Sequence, residues 1–213
     1  MNTDWTSTLR QTLPRLGRVV RALRPTWLVD GVERIEPAFL ESNGIRGLIW
    51  DIDGTLMAHH AAMVDGRVAP AFARLLALPG TRHVIASNCS DRRFEELGRM
   101  LPRVPVLKVY DSAAGVVGRR WLEGEESWTP GPPRGPLRAL RKPDERIAAV
   151  ALRELGVPAG EVVVVGDQRF TDIALANLGG LRSIKVPTFE RRSFPVPVRL
   201  LQRAEDLIAA VTS

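Results

Sequence analysis

The stretch GLIWDIDGTLMAHH, Gly47 to His60, decides the fold. It runs Leu48, Ile49 and Trp50 straight into two aspartates one residue apart, Asp51 and Asp53, and then into a turn at Gly54. A short apolar run bounded by a turn is the pattern of a strand covered on both faces. Alternation along such a strand puts Asp51 and Asp53 on the same side of the backbone. The carboxyl ends of strands in an open parallel sheet form the ligand crevice, so carboxylates placed there mark a site.

From Arg46 onward the chain alternates short β-branched runs with helical patterns, which predicts βαβ units and an α/β, doubly wound parallel sheet. Strands are expected over 46–53, 82–88, 104–110, 161–167 and 181–187. Between them Ser90 caps a helix carrying Phe94, Leu97 and Leu101 on one face, and Pro143 opens another that ends before Gly156. A short helix starts at Thr171 or Asp172 and runs to Gly179, and an amphipathic helix over 197–211 follows. Three strands then deliver polar groups to one edge: Asp51 and Asp53, Ser87 and Asn88, and Asp167 followed by Asp172. Lys142 stands beside them, just before its helix. Crowded carboxylates need a cation, and an oxygen-seeking ion such as Mg²⁺ with a phosphate ester meets that need. The parts for phosphoryl transfer are present: a carboxylate nucleophile, a second carboxyl to move a proton, and lysine with Ser/Thr donors for phosphoryl oxygens.

Composition bounds the alternatives. With 213 residues, 45% of them hydrophobic and 25% charged, one good core and one domain are expected. The single cysteine, Cys89, excludes a cysteine-based metal site and an internal disulfide; it reads as a packed small residue, and the cytoplasm is the default compartment. No apolar run approaches the roughly 18 residues of a membrane span. The net charge of +6 is an arginine excess, since lysine occurs only at Lys108, Lys142 and Lys185. Without RNA-binding motifs or stacked aromatics that excess makes nucleic acid a weak candidate partner. Nothing in the sequence fixes an oligomeric state.

Two segments stand apart from the alternation. Over 1–24, Leu9, Leu13, Leu16, Val20 and Leu23 form one stripe among arginines, with Trp5 and Trp27 near the ends. This basic amphipathic helix docks on the domain, lies on an anionic membrane surface, or is a targeting segment. The Gly/Pro-rich segment 111–136 reads as an exposed loop or small hairpin, with Trp121 and Trp128 as an alternative cover for a substrate site. His59 and His60 read as exposed residues of a flap-like turn.

DIDGTL, VIASN, RKP and VVVVGDQRFTD occur in order on the expected elements, and together they resemble the haloacid dehalogenase superfamily over residues 46 to about 187. The lead-in LRP before an apolar segment, GIRGL, and GDQRFTD followed by a VP strand end look like its class IIIA, YqeG-type phosphatases, over roughly 24–205. That group includes phosphatidylglycerophosphate phosphatases. The resemblance implies a Rossmannoid sheet, with 25–213 as the phosphatase domain. It implies that Asp51 is the aspartyl-phosphate nucleophile and a Mg²⁺ ligand. Asp53 would be the general acid and base and would give its carbonyl to the metal. Thr55, Ser87, Asn88 and Lys142 would bind substrate, with Lys142 also neutralising charge, while Asp167 would hold Mg²⁺ and Asp172 would support the site. The departures are Gly54 where class IIIA members usually have Asn, Cys89 where a second Asn often follows, and the long segment 111–136. The 33 positions from Asp53 to Ala86 leave no room for a large cap domain, so the site is expected to be open to large phosphomonoesters, including a lipid phosphate met by peripheral contact at a membrane. A soluble sugar or nucleotide phosphate is the alternative substrate, and an idle binding module the alternative role.

Overall fold

The structure is a computed structural model and describes residues 16–212, with side chains described over 17–205. Leu9, Leu13 and Trp5 of the N-terminal stripe lie outside the described residues. In chain order the elements are α1 (Leu16–Arg21), β1 (Trp27–Leu28), α2 (Pro37–Ser42), β2 (Gly47–Trp50), α3 (Ala69–Leu76), β3 (Arg82–Ala86), α4 (Asp91–Met100) and β4 (Val106–Ser112). Then follow β5 (Gly115–Leu122), β6 (Glu125–Thr129), β7 (Arg138–Ala139), α5 (Glu145–Leu155), β8 (Val162–Gly166), α6 (Ala174–Leu178), β9 (Arg182–Lys185) and α7 (Val196–Thr212). The nine strands make one sheet in the order β1-β9-β8-β2-β3-β4-β5-β6, with β7 added to β4. Pairings from β1 through β4 are parallel, and those of β5, β6 and β7 are antiparallel.

The side-chain period of two divides each central strand between two cores. Leu48, Trp50, Val163, Val165 and Ile85 face one core, together with Phe72 of α3 and Phe94 and Leu97 of α4. Ile49, Val162, Val164, Val84 and Ala86 face the other, under Ile147, Ala148 and Ala151 of α5 and Leu175 of α6. The architecture is therefore the expected α/β sheet with helices on both faces. The chain leaves β2 for β3 on one side and returns to β8 on the other, so the carboxyl end of β2 is the topological switch point.

Several expected boundaries differ. The first strand ends at Trp50 rather than 53, because the amides of Thr55, Leu56 and Met57 turn back onto the carbonyl of Ile52. Pro143 lies outside its helix, which begins at Glu145 after Asp144 caps it by accepting the Arg146 N–H at 3.1 Å. The segment 111–136 takes the hairpin form: β5 and β6 extend the sheet beyond β4. Trp121 packs edge-on against Phe94, 6.3 Å between centroids, and so covers core rather than the carboxylate edge. In and just after α1, Val19, Ala22 and Leu23 are buried against Ala174 of α6, while Val20 is 48% exposed, so of the expected stripe Leu23 faces inward and Val20 does not. Cys89 is buried in the core beneath α3 and α4.

Candidate active site

The carboxyl ends of β2 and β8 bring three carboxylates together. One oxygen each from Asp51, Asp167 and Asp172 lies within 4.8 Å of the others, and all three residues are buried. Asp51 follows β2 while its N–H still bonds the Val165 carbonyl of β8 at 2.9 Å, which fixes the two strand ends against each other. Asp167 follows β8 directly, and the π-type turn over Arg169–Ile173 returns Asp172 to the same edge. Asp172 accepts the Gln168 N–H at 3.0 Å, closing that turn. Two glycines make room: a Cβ on Gly166 would sit 2.4 Å from Asp172, and one on Gly54 would sit 2.7 Å from Asp167 Oδ2. Gly54 also has φ 94°, a backbone that other residues rarely adopt.

Lys142 Nζ lies 2.6 Å from Asp51 Oδ1 and 2.6 Å from Asp172 Oδ1. Burial pushes Asp51 up to about 7; Lys142 opposes this, and the charges of Asp172 and Asp53 add to it. Burial and the charges of Asp51 and Asp172 likewise hold Asp167 well above the usual carboxylate range. Burial works to lower the Lys142 pKa, but the charges and hydrogen bonds of Asp172 and Asp51 override it and raise it. One ammonium among three buried carboxylates leaves negative charge in a low-dielectric pocket, with an all-oxygen donor set that suits a hard divalent cation.

The remaining residues divide by contact. Asn88 Oδ1 accepts the Lys142 N–H at 2.7 Å, and its Nδ2 donates to the Lys142 carbonyl at 3.1 Å, so this amide clamps the lysine's own backbone. Thr55 Oγ1 lies 3.3 Å from Asp51 Oδ2 and 3.4 Å from Asp167 Oδ1, between the two carboxylates. Ser87, half-buried just after β3, lines a small cavity with Asn88, Cys89 and Lys142 whose walls do not include the three carboxylates. Asp53 stands apart from the buried trio: its Oδ1 accepts the His60 N–H at 3.0 Å and an Arg93 Nη2 proton at 3.2 Å. His60 is exposed, and the His59 ring stacks on Phe194 at 4.7 Å.

Three residues at the site escaped the sequence reading. Arg93 is buried on the inward face of α4 next to Phe94, and an arginine inside an apolar helical stripe is the signal it carried. Gln202 and Glu205 sit on α7, both buried while Leu200 and Leu201 are exposed. Glu205 accepts the N–H groups of Arg169 at 3.0 Å and Phe170 at 2.8 Å, and Gln202 Nε2 lies 3.5 Å from Asp167 Oδ2. Two polar residues at i,i+3 on one helix were the visible trace of that inverted face.

The family model for HAD-hydrolase-like proteins matches residues 139–193, the segment holding Lys142, Asp167 and Asp172. The chain is 26% identical over 186 residues to the phosphatidylglycerophosphate phosphatase 1, chloroplastic, of Chlamydomonas reinhardtii, a match covering 87% of this chain and 61% of that protein. It is 24% identical over 180 residues to the phosphatidylglycerophosphate phosphatase 1, chloroplastic/mitochondrial, of Arabidopsis thaliana, covering 83% of this chain and 44% of the relative. The chain thus spans about half the length of the curated relatives it matches. A crystal structure of an uncharacterized protein from Listeria monocytogenes serotype 4b aligns at 18% identity with a TM-score of 0.43, over 75% of this chain and 99% of that one. Among the described residues no helix is long and apolar enough to cross a membrane.

Proposed function

We propose that this chain hydrolyses phosphomonoesters through Asp51 and that its substrate is the lipid phosphate phosphatidylglycerophosphate. The observation that carries the chemistry is Lys142 Nζ at 2.6 Å from both Asp51 and Asp172, beside Asp167 at the switch point of the sheet. Lys142 orients the Asp51 carboxylate and favours its ionised form against the effect of burial, and its charge also offsets that of an incoming phosphoryl group. An Asp51 oxygen attacks phosphorus, the bond from phosphorus to the leaving oxygen breaks, and Asp53 gives that oxygen a proton. Asp53 then takes a proton from water as the water oxygen attacks the aspartyl phosphate. The bond from phosphorus to the Asp51 oxygen breaks, phosphate leaves, and both carboxyl groups return to their starting state. Ser87 donates to a phosphoryl oxygen, Thr55 spaces Asp51 from Asp167, and Asn88 acts through the Lys142 backbone. Asp51, Asp167 and the Asp53 carbonyl would hold Mg²⁺, which when bound offsets the charge of the carboxylates and of the phosphoryl oxygens.

The lipid assignment draws on the names of the two relatives and on a site without a large cap domain, which leaves space for a headgroup at a bilayer surface. A cytoplasmic location with peripheral membrane contact belongs to the same reading. The test is phosphate release from phosphatidylglycerophosphate in mixed micelles against soluble phosphomonoesters, with Mg²⁺ or EDTA and with Asp51→Asn as control. A Mg²⁺-dependent preference for the lipid, lost in Asp51→Asn, is expected. Preference for a soluble sugar or nucleotide phosphate overturns the substrate, and full activity in Asp51→Asn overturns the mechanism.

A further inference from the structure

Next to Asp53 lies an open groove of about 850 Å³ whose walls include His60, Ser90, Arg92, Arg93, Glu96 and Arg99. Two of those residues hold Asp53: the His60 N–H at 3.0 Å and Arg93 Nη2 at 3.2 Å. His60 does so from a left-handed backbone, φ 59°, so the turn is built to aim its N–H inward. Arg93 is only 4% exposed, is anchored on the Ala61 carbonyl at 2.9 Å, and keeps its Nε buried without a hydrogen-bond partner among the described residues. Asp53 is the residue that serves the leaving oxygen, so this groove lies on the leaving-group side.

Three arginines and one carboxylate, Glu96, line it, and each arginine is paired: Arg93 with Asp53 at 3.2 Å and with Glu96 at 3.5 Å, Arg92 with Glu96, and Arg99 with Glu95, which lies outside the lining. Arg92 reaches Glu96 at 2.9 Å and Arg99 reaches Glu95 at 3.2 Å, both as i,i+4 pairs along α4 with arginine side chains 90% and 62% exposed. Exposed pairs of this kind contribute little and are readily exchanged for a phosphate oxygen, a stronger acceptor for the guanidinium fork. We propose that the groove binds a second anionic group on the alcohol portion of the substrate, a phosphodiester or phosphate held by Arg92 and Arg99 while Arg93 stays on Asp53. This rests on the phosphomonoester hydrolase reading and deepens it: the preferred substrate is a phosphomonoester whose leaving group is itself an anion.

The test compares wild type with the double variant Arg92→Gln, Arg99→Gln. Three substrates are used: glycerol 3-phosphate, glycerophosphoglycerol phosphate, which adds a phosphodiester, and phosphatidylglycerophosphate in mixed micelles. Calorimetric binding of glycerophosphoglycerol, a phosphodiester with no phosphomonoester group to hydrolyse, is measured in parallel. Expected is a loss in kcat/KM at least tenfold larger for both diester-bearing substrates than for glycerol 3-phosphate, carried by KM, with glycerophosphoglycerol binding weakened about tenfold. Equal losses on all three substrates overturn the proposal. A loss confined to the micellar substrate also overturns it, because the arginines would then meet the lipid surface rather than the diester. If wild type releases no phosphate from any ester, the hydrolase reading fails. The calorimetry then decides alone: arginine-dependent binding sustains the anion groove, and binding that is absent or unchanged in the variant overturns it.

Discussion

Lys142→Met replaces the ammonium that contacts Asp51 and Asp172 at 2.6 Å with an apolar chain of similar length. Breaking a buried ion pair by removing one partner typically costs about 3–5 kcal/mol, since the other partner stays buried and charged. The protein has one way out, which is to bind a proton in place of the lysine. Protonating an aspartate costs about 1.36 kcal/mol for each pH unit above its ordinary value of 3.8. That route is limited to about 1.6 kcal/mol at pH 5 and about 5.7 kcal/mol at pH 8. The variant should therefore lose about 3–5 kcal/mol at pH 8 and no more than about 2 kcal/mol at pH 5. The sign agrees with wild type: burial already holds Asp51 up at about 7, so its contribution to stability is fully present below 3.8 and is lost as pH rises through 7. Urea unfolding followed by tryptophan fluorescence, in EDTA at both pH values, measures the difference. A loss of the same size at both pH values would refute the reasoning, because the buried carboxylates would then not be responding to the missing charge.

Two further outcomes are expected. His83 takes the Trp50 indole proton on Nδ1 at 3.0 Å and meets Thr81 Oγ1 at Nε2, also 3.0 Å; burial lowers its pKa from 6.5 to about 4. Stability should fall as pH drops from about 6.5 to about 4, by roughly 3 kcal/mol at most, and His83→Gln should flatten that part of a melting-temperature profile. Glu205→Ala strands the N–H groups of Arg169 and Phe170, which predicts a loss of about 2–4 kcal/mol in urea unfolding and slower phosphate release, with Glu205→Gln falling between it and wild type.

The parts of the site that lie next to a strand in sequence were legible, because an apolar run followed by a carboxylate is a local signal. Asp51 and Asp167 sit where that signal put them. Alternation failed at Asp53, because it holds only while the strand continues and β2 stops at Trp50; the turn then carries Asp53 to Arg93. Asn88 and Thr55 were visible as residue types but not as contacts, since whether an amide meets substrate or a neighbouring backbone depends on side-chain direction. Glu205 and Gln202 were hidden by amphipathicity itself: α7 buries its polar pair and exposes Leu200 and Leu201, the reverse of the usual inference. The hairpin of β5 and β6 was one of two forms open to a Gly/Pro-rich stretch, and pairing with β4 selected it.

The place of β2 in the sheet also bears on how the protein is made. Gly47 pairs with Arg82 on one side and with Val162 on the other, so one edge of this wholly apolar strand has its neighbour early and the other waits for a segment synthesised much later. At usual translation rates that interval is on the order of ten seconds. Throughout it a nascent chain would present an open, sticky strand edge, with Asp51 in place before Lys142, Asp167 and Asp172 have emerged. The carboxylate cluster is thereby completed only once residue 172 has emerged and folded back onto β2.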